Sequence, residues 1–169
     1  MNLNDTDFVL FAVPATFAQD RGALDARWKE LQREAHPDRF AAQGGAAQRL
    51  AMQWSVRINE AYQRLKDPIK RATYLCQLNG SPIQAETNTA MPADFLMQQM
   101  AWREELDDAK DAAAFETLRA EVEAARARAL SSLDWLIDEK GDYAGAARQV
   151  RALMFIERFA EDIEAKVDQ

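Results

Sequence analysis

The sequence predicts an all-α protein built from two helical modules, and three observations carry that prediction. Apolar residues recur at intervals of three and four through most of the 169 residues, which places them on one face of a helix. Strict alternation of apolar and polar residues, the mark of a half-buried strand, is nearly absent. A stretch rich in turn formers, from Asn79-Gly80-Ser81-Pro82 to Thr87-Asn88-Thr89, separates a mildly basic front from a strongly acidic back.

The elements follow in order. Phe8 to Val13 is an apolar run that ends at Pro14; with Asp5 or Thr6 as an N-cap it reads as a short helix, although periodicity also allows a buried strand. A second helix is expected from about Asp20, its candidate cap, to Ala35, with Leu24, Trp28, Leu31 and Ala35 on one face. Pro37 cannot continue it, so His36-Pro37-Asp38 stands where that helix stops. Phe40 to Ala47 reads as a loop around Gly44-Gly45. The third helix then runs to about Lys66 with Leu50, Trp54, Ile58, Ala61 and Leu65 facing the second. Asp67-Pro68 punctuates it, and a shorter fourth helix covers Ile69 to Leu78. Beyond the boundary, Pro92 suits the first position of a helix over Ala93 to Ala109. Phe115, Leu118, Val122, Ala125, Ala129, Leu133 and Leu136 mark the next, which ends near Gly141. The last follows Asp142, with a stripe that drifts from Tyr143, Ala146, Val150 and Leu153 toward Ile163 and Val167. Three helices joined by short turns predict an antiparallel bundle.

Composition narrows the function. The chain is 48% hydrophobic and 29% charged, which supports a packed core and argues against disorder. No apolar run reaches membrane-spanning length, and the N-terminus places Asp5 where a signal peptide needs basic residues, so a cytoplasmic protein is expected. One cysteine, Cys76, and one histidine, His36, can form neither an internal disulfide nor a zinc site, and neither metal nor cofactor is expected. A net charge of −7 without a basic cluster argues against nucleic acid as a partner. His36 and Asp38 could be imagined as a general base and its orienting carboxylate. No nucleophile motif or Gly-rich phosphate loop accompanies them, so catalysis has little support.

The tripeptide instead gains meaning from its flanks. Two amphipathic helices joined by a polar loop bearing His36, Pro37 and Asp38 resemble the J-domain of the DnaJ-type co-chaperones. Ile58-Asn59-Glu60-Ala61-Tyr62, Asp67-Pro68 and Arg71-Ala72-Thr73-Tyr74-Leu75 also match that pattern in order and spacing. Lys29 and Arg33 lie one turn apart, away from the apolar stripe of their helix. The resemblance implies that His36, Pro37 and Asp38 engage an ATP-bound chaperone of the seventy-kilodalton heat-shock class and stimulate its ATPase, with Arg27, Lys29 and Arg33 as lesser contacts.

The back half carries a second pattern. On the helix that follows Pro92, Phe95, Trp102 and Leu106 share one narrow face suited to the bundle core. Leu96, Met97 and Met100 fall on another side, joined there by Glu104. A helix needs one apolar stripe to join a small bundle, so the second either meets another bundle helix or meets a partner. Phe155 on the last helix points away from Val150 and Leu153. A patch of Leu96, Met97, Met100 and Phe155, with Glu104 and Asp108 nearby, has the makeup of a protein-binding surface.

Phe95-Leu96-Met97 followed by Arg103-Glu104-Glu105-Leu106-Asp107, after a J-domain and a short linker, resembles the HscB family, the J-type co-chaperones of bacterial iron–sulfur cluster assembly. The resemblance spans essentially the whole chain. It implies an L-shaped protein with a J-domain over residues 1–78, a linker over 79–91 and a client-binding three-helix bundle over 92–169. By position, Leu96, Met97, Met100, Arg103, Glu104, Asp108 and Phe155 would bind the IscU scaffold, and the J-domain would present it to the HscA chaperone. Three positions depart from the pattern. Ala35 stands where J-domains often have tyrosine, Arg39 where lysine is usual, and Ala101 where the family is often acidic. The alternatives are a J-protein serving another client and a plain helical interaction protein.

Overall fold

A computed structural model describes residues 1–169 and contains helices and turns, with no strand. No helix is long and apolar enough to cross a membrane. The chain divides into two compact units, Met1–Tyr74 and Leu75–Gln169.

In the first unit, α1 (Asp7–Leu10) starts at Thr6, whose hydroxyl accepts from the Val9 amide at 3.2 Å. This satisfies one of the amide donors that every helix start leaves unpaired. The helix is shorter than its apolar run because the backbone turns at Ala12, which adopts φ +53°. The second helix, α2 (Arg21–Ala35), is capped by Asp20, whose carboxylate accepts from the Gly22 and Ala23 amides. Residues Pro37–Gln43, expected as open loop in part, wind into a 3-10 segment. Gly44, at φ +97°, then starts α3 (Gly45–Lys66), and α4 (Pro68–Leu78) follows the kink at Asp67. Because α4 runs through residue 74, the division between the units falls inside a helix rather than after it.

The helices α2 and α3 are antiparallel, since Asp25 meets Tyr62 and Gln32 meets Ser55 across them. Leu24, Leu31, Ile58, Ala61 and Leu65 are buried between and around them, and Trp28 stacks on Tyr62 with ring centroids 4.8 Å apart. Each fully buried large side chain is worth roughly 1.5–3 kcal/mol relative to exposure. Leu50 does not join this core. It is 49% exposed, and Ala51 packs in its place. Around Leu50 lies an apolar cavity of about 430 Å³, also lined by Leu31, Ala35, Phe40 and Trp54.

The core of this unit holds a charge that periodicity does not reveal. Asp7 is fully buried, and its carboxylate meets Arg57 at 2.8 Å and both forks of Arg64 at 2.6 and 2.9 Å. The Tyr74 hydroxyl accepts from the Asp7 amide at 3.0 Å, and the Arg64 guanidinium lies 4.7 Å from the Tyr74 ring centroid. The two-pronged contact from Arg64 is the geometry that makes a buried carboxylate tolerable.

In the second unit, α5 (Phe95–Asp108) begins two residues later than Pro92 and Ala93 suggest. Pro92 instead closes a turn, its carbonyl accepting from the Phe95 amide at 3.0 Å. Asp111 caps α6 (Ala112–Asp134), which passes into a π-helical turn over Trp135–Glu139. A wider turn shifts the inward face by one residue, so Ile137 is the buried residue there and Leu136 only half-buried. Asp142 caps α7 (Tyr143–Val167), its carboxylate accepting from the Gly145 amide at 2.9 Å.

Buried residues from Gly145 to Ile163 cover several sides of α7, which makes it the central helix of this unit. Its early half meets the segment before α5. Arg151, buried on α7, donates from Nε to the Ile83 carbonyl at 3.0 Å and from Nη1 to the Ala90 carbonyl at 2.8 Å, and Ile83 is itself buried. Residues 79–91, expected as a linker, thus include a stretch laid down on the bundle. The Cys76 thiol donates to the Tyr143 carbonyl, and burial pushes its pKa up to about 11, which makes it a packing group and not a nucleophile. Farther along, Phe159 stacks on Trp102 at 5.6 Å between ring centroids.

Candidate functional site

The turn between α2 and α3 is built by its own three residues. The proline forces His36 into an extended conformation, φ −61° and ψ 129°, which ends α2. Pro37 then opens the 3-10 segment, where its missing N–H leaves no donor unpaired. The His36 ring closes the turn: Nδ1 accepts from the Asp38 amide at 3.2 Å, and the His36 carbonyl accepts from the Arg39 amide at 3.0 Å. A ring nitrogen that accepts a hydrogen bond carries no proton, so Nε2–H is left as the donor. The side chains of His36 and Asp38 are 58% and 94% exposed. Arg39 folds back, its guanidinium donating to the Arg33 carbonyl at 3.4 Å, and so caps the end of α2.

Lys29 and Arg33 are exposed on the outer face of α2. Arg27 departs from that face. Its side chain is 25% exposed, pairs with Glu30 at 3.2 Å and donates to the Leu10 carbonyl at 3.4 Å. The reason is angular: position 27 lies beside the Leu24/Leu31 stripe, and its guanidinium ties α2 to α1. The structure therefore brings together His36, Asp38, Lys29 and Arg33 as an outward polar surface and gives Arg27 a structural task.

In the second unit, α5 shows both of its expected faces. Trp102 and Leu106 are buried, Phe95 is half-buried, and Leu96, Met97 and Met100 are 61%, 72% and 62% exposed. Arg103, Glu104 and Asp108 are exposed as well. Phe155 differs from expectation: it is only 9% exposed, because α7 is the central helix and has little outer face to offer. Its ring meets Phe95 edge-on at 5.6 Å and stacks on Phe159 at 5.9 Å, with the Arg103 guanidinium 5.4 Å from its centroid. Phe155 thus supports the patch from beneath, and Arg103 roofs it. Three large apolar side chains are left uncovered on one helix, more than packing within the unit requires.

The periodic stripes located α5's apolar face but passed over Met52 and Val56 on α3, both 58% exposed. The signal was present in the sequence. Four residues apart, they lie on the side of α3 opposite its Ile58/Ala61/Leu65 stripe.

A two-helix hairpin that holds its histidine and aspartate outward on a self-capped turn has the architecture of a J-domain, which places the chain in the class of J-proteins. Comparison with known sequences and structures narrows that class. The family model described as the HSCB C-terminal oligomerisation domain matches residues 91–164. A co-chaperone protein HscB homolog from Bordetella parapertussis is 51% identical over 162 residues, 95% of each chain. One from Burkholderia mallei is 49% identical over 172 residues, covering 100% of this chain and 98% of its own. The solved structure of chaperone HscB from Vibrio cholerae, 36% identical, matches with a TM-score of 0.88 over 97% of this chain and 99% of that one. The chain belongs to the HscB co-chaperone family.

Proposed function

We propose that this chain acts in cytoplasmic iron–sulfur cluster assembly by binding an IscU-type scaffold protein through α5 and stimulating the ATPase of an HscA-type chaperone through its tripeptide turn. It catalyses nothing itself. The chaperone contacts are His36, Pro37 and Asp38, with Lys29 and Arg33 adding charge. The His36 Nε2–H and the Asp38 carboxylate offer a donor and an acceptor on a turn whose shape is set before binding, so little ordering is needed on contact. Leu96, Met97 and Met100 supply the apolar centre of the scaffold surface, and Arg103, Glu104 and Asp108 its polar rim. Phe155 takes part by holding Arg103 and Phe95 in place. The observation that carries this reading is the uncovered Leu96/Met97/Met100 face, in a chain whose kinship to HscB co-chaperones extends over both units.

The test titrates purified IscU-type scaffold into this protein while the ATPase rate of the HscA-type chaperone is followed. His36→Gln should abolish stimulation yet leave scaffold affinity unchanged. Leu96→Ser, Met97→Ser and Met100→Ser together should weaken scaffold binding by about 100-fold or more, because each lost large apolar contact is worth roughly 1.5–3 kcal/mol and 1.4 kcal/mol is tenfold. These exposed positions are preferred to Phe155, whose removal would open the core. Full scaffold affinity in a folded triple variant would overturn the client assignment.

A further inference from the structure

Next to the tripeptide turn, α3 carries an apolar strip that nothing in its unit covers. Met52 and Val56, one helical turn apart, are each 58% exposed. They border two adjoining shallow grooves. One also contains Pro37 of the tripeptide, with Gln32, Ser55 and Asn59; the other contains Leu3, Gln53, Arg57 and Glu60. The seam between α2 and α3 is fixed here. The Ser55 hydroxyl donates to Gln32 Oε1 at 2.8 Å, and Gln32 Nε2 donates to the Ser55 carbonyl at 3.4 Å. Helical geometry places Gln32 beside Lys29 and Arg33 on α2, and Ser55 beside Met52 and Val56 on α3. A basic outer face and an apolar strip therefore flank one pinned seam, with Pro37 at its end.

We infer that Met52 and Val56 form the apolar half of the chaperone-docking surface, whose basic half is Lys29 and Arg33. The inference rests on the proposed chaperone contact. The surface fits a chaperone face that sets an apolar side-chain cluster beside acidic residues, so that both halves of the surface are matched. A second copy of this chain is a poor occupant. Stable interfaces bury roughly 1,200 Å² or more, far beyond what two side chains offer, and the chain's net charge of −7 opposes self-association. Continuity with the tripeptide through Pro37 is what assigns the strip to the same partner. In this arrangement the basic residues steer the encounter, while the strip slows dissociation once the turn has docked.

The test uses the full chain with Met52→Ser and Val56→Ser together, checked for unchanged helicity and melting temperature, against the HscA-type chaperone with ATP. The concentration giving half-maximal stimulation should rise about tenfold while maximal stimulation persists. Val9→Ser, at an equally exposed apolar residue on α1, should leave that concentration unchanged. An unchanged half-maximal concentration in the folded double variant would overturn the inference. So would sedimentation showing a wild-type dimer that the double variant dissolves. The companion His36→Gln variant separates the two levels: if it still stimulates fully, the chaperone reading fails first and the strip's assignment with it.

Discussion

Asp7 shows how much a single residue can carry in this chain. It is fully buried, and its carboxylate answers two guanidinium groups from α3 while its amide meets Tyr74 on α4. Replacing a buried ion pair with apolar groups is often harmless, but removing one partner leaves the other charge buried and uncompensated. Asp7→Ala should therefore cost about 3–5 kcal/mol in the stability of the first unit, measured by urea unfolding. Its effect on stimulation should follow that loss of fold. His36 stands at the other extreme. Its ring is 58% exposed and its hydrogen bond, from the Asp38 amide to Nδ1, stays within its own turn, so His36→Gln should leave the melting temperature within about 2 °C of wild type while removing stimulation. Neither role follows from residue type. Nothing in the local pattern distinguishes Asp7 from Asp5, and only the positions of Arg57 and Arg64 set the two apart.

At the scale of the element, the cavity between α2, the 3-10 segment and α3 has a simple origin. Ala35 offers only a methyl to this space, and Leu50 turns outward beside it instead of filling it. Ala35→Phe should fill the cavity and raise the melting temperature of the first unit by several degrees, since filling a void regains lost contacts. Calorimetry would register the shift, and a fall would mean that the space closes in solution. Between α5 and α6 a different tension exists. Glu105 faces Glu121, and burial first, then the shared hydrogen bond and the like charge, raise the Glu105 pKa above its ordinary value. The sign follows from linkage. A carboxyl whose folded pKa is raised opposes folding when ionised, and that opposition fades as pH falls through the raised value. Glu105→Gln should therefore stabilise the second unit at pH 7, and its advantage should shrink on acidification into the carboxylate range. A gain that grows at low pH would contradict this assignment.

Across the whole molecule, net charge is shared unequally between the units, and the two proposed binding reactions should differ accordingly. The acidic excess lies in residues 81–169, while the proposed chaperone face carries exposed Lys29 and Arg33. Charge pairing between exposed groups is screened by salt; apolar burial is not. Half-maximal stimulation of the chaperone should therefore weaken as salt rises. Scaffold binding should respond less, because the centre of its proposed surface, Leu96, Met97 and Met100, is apolar and Ala101 beside it is uncharged. Ala101→Glu should add salt dependence to scaffold binding, as isothermal titration at two ionic strengths would show. An equal response in the wild-type protein to salt at both sites would contradict the division.

The amino-acid sequence by itself determined most of the helices, the cap at Asp20, the position of the tripeptide turn and the existence of a second apolar stripe on α5. Each of these depends on interactions within a few residues, or on a 3.6-residue period that any helix obeys. Tertiary structure decided the rest. It buried Phe155 by making α7 central, turned Leu50 outward, committed Arg27 to Leu10 and Glu30, and laid residues 83–90 on Arg151. These outcomes depend on which helix passes beside which, and contacts between residues far apart in sequence carry no signature in the local pattern of either partner. A helix's period says which side is apolar, but only its neighbours decide whether that side is covered.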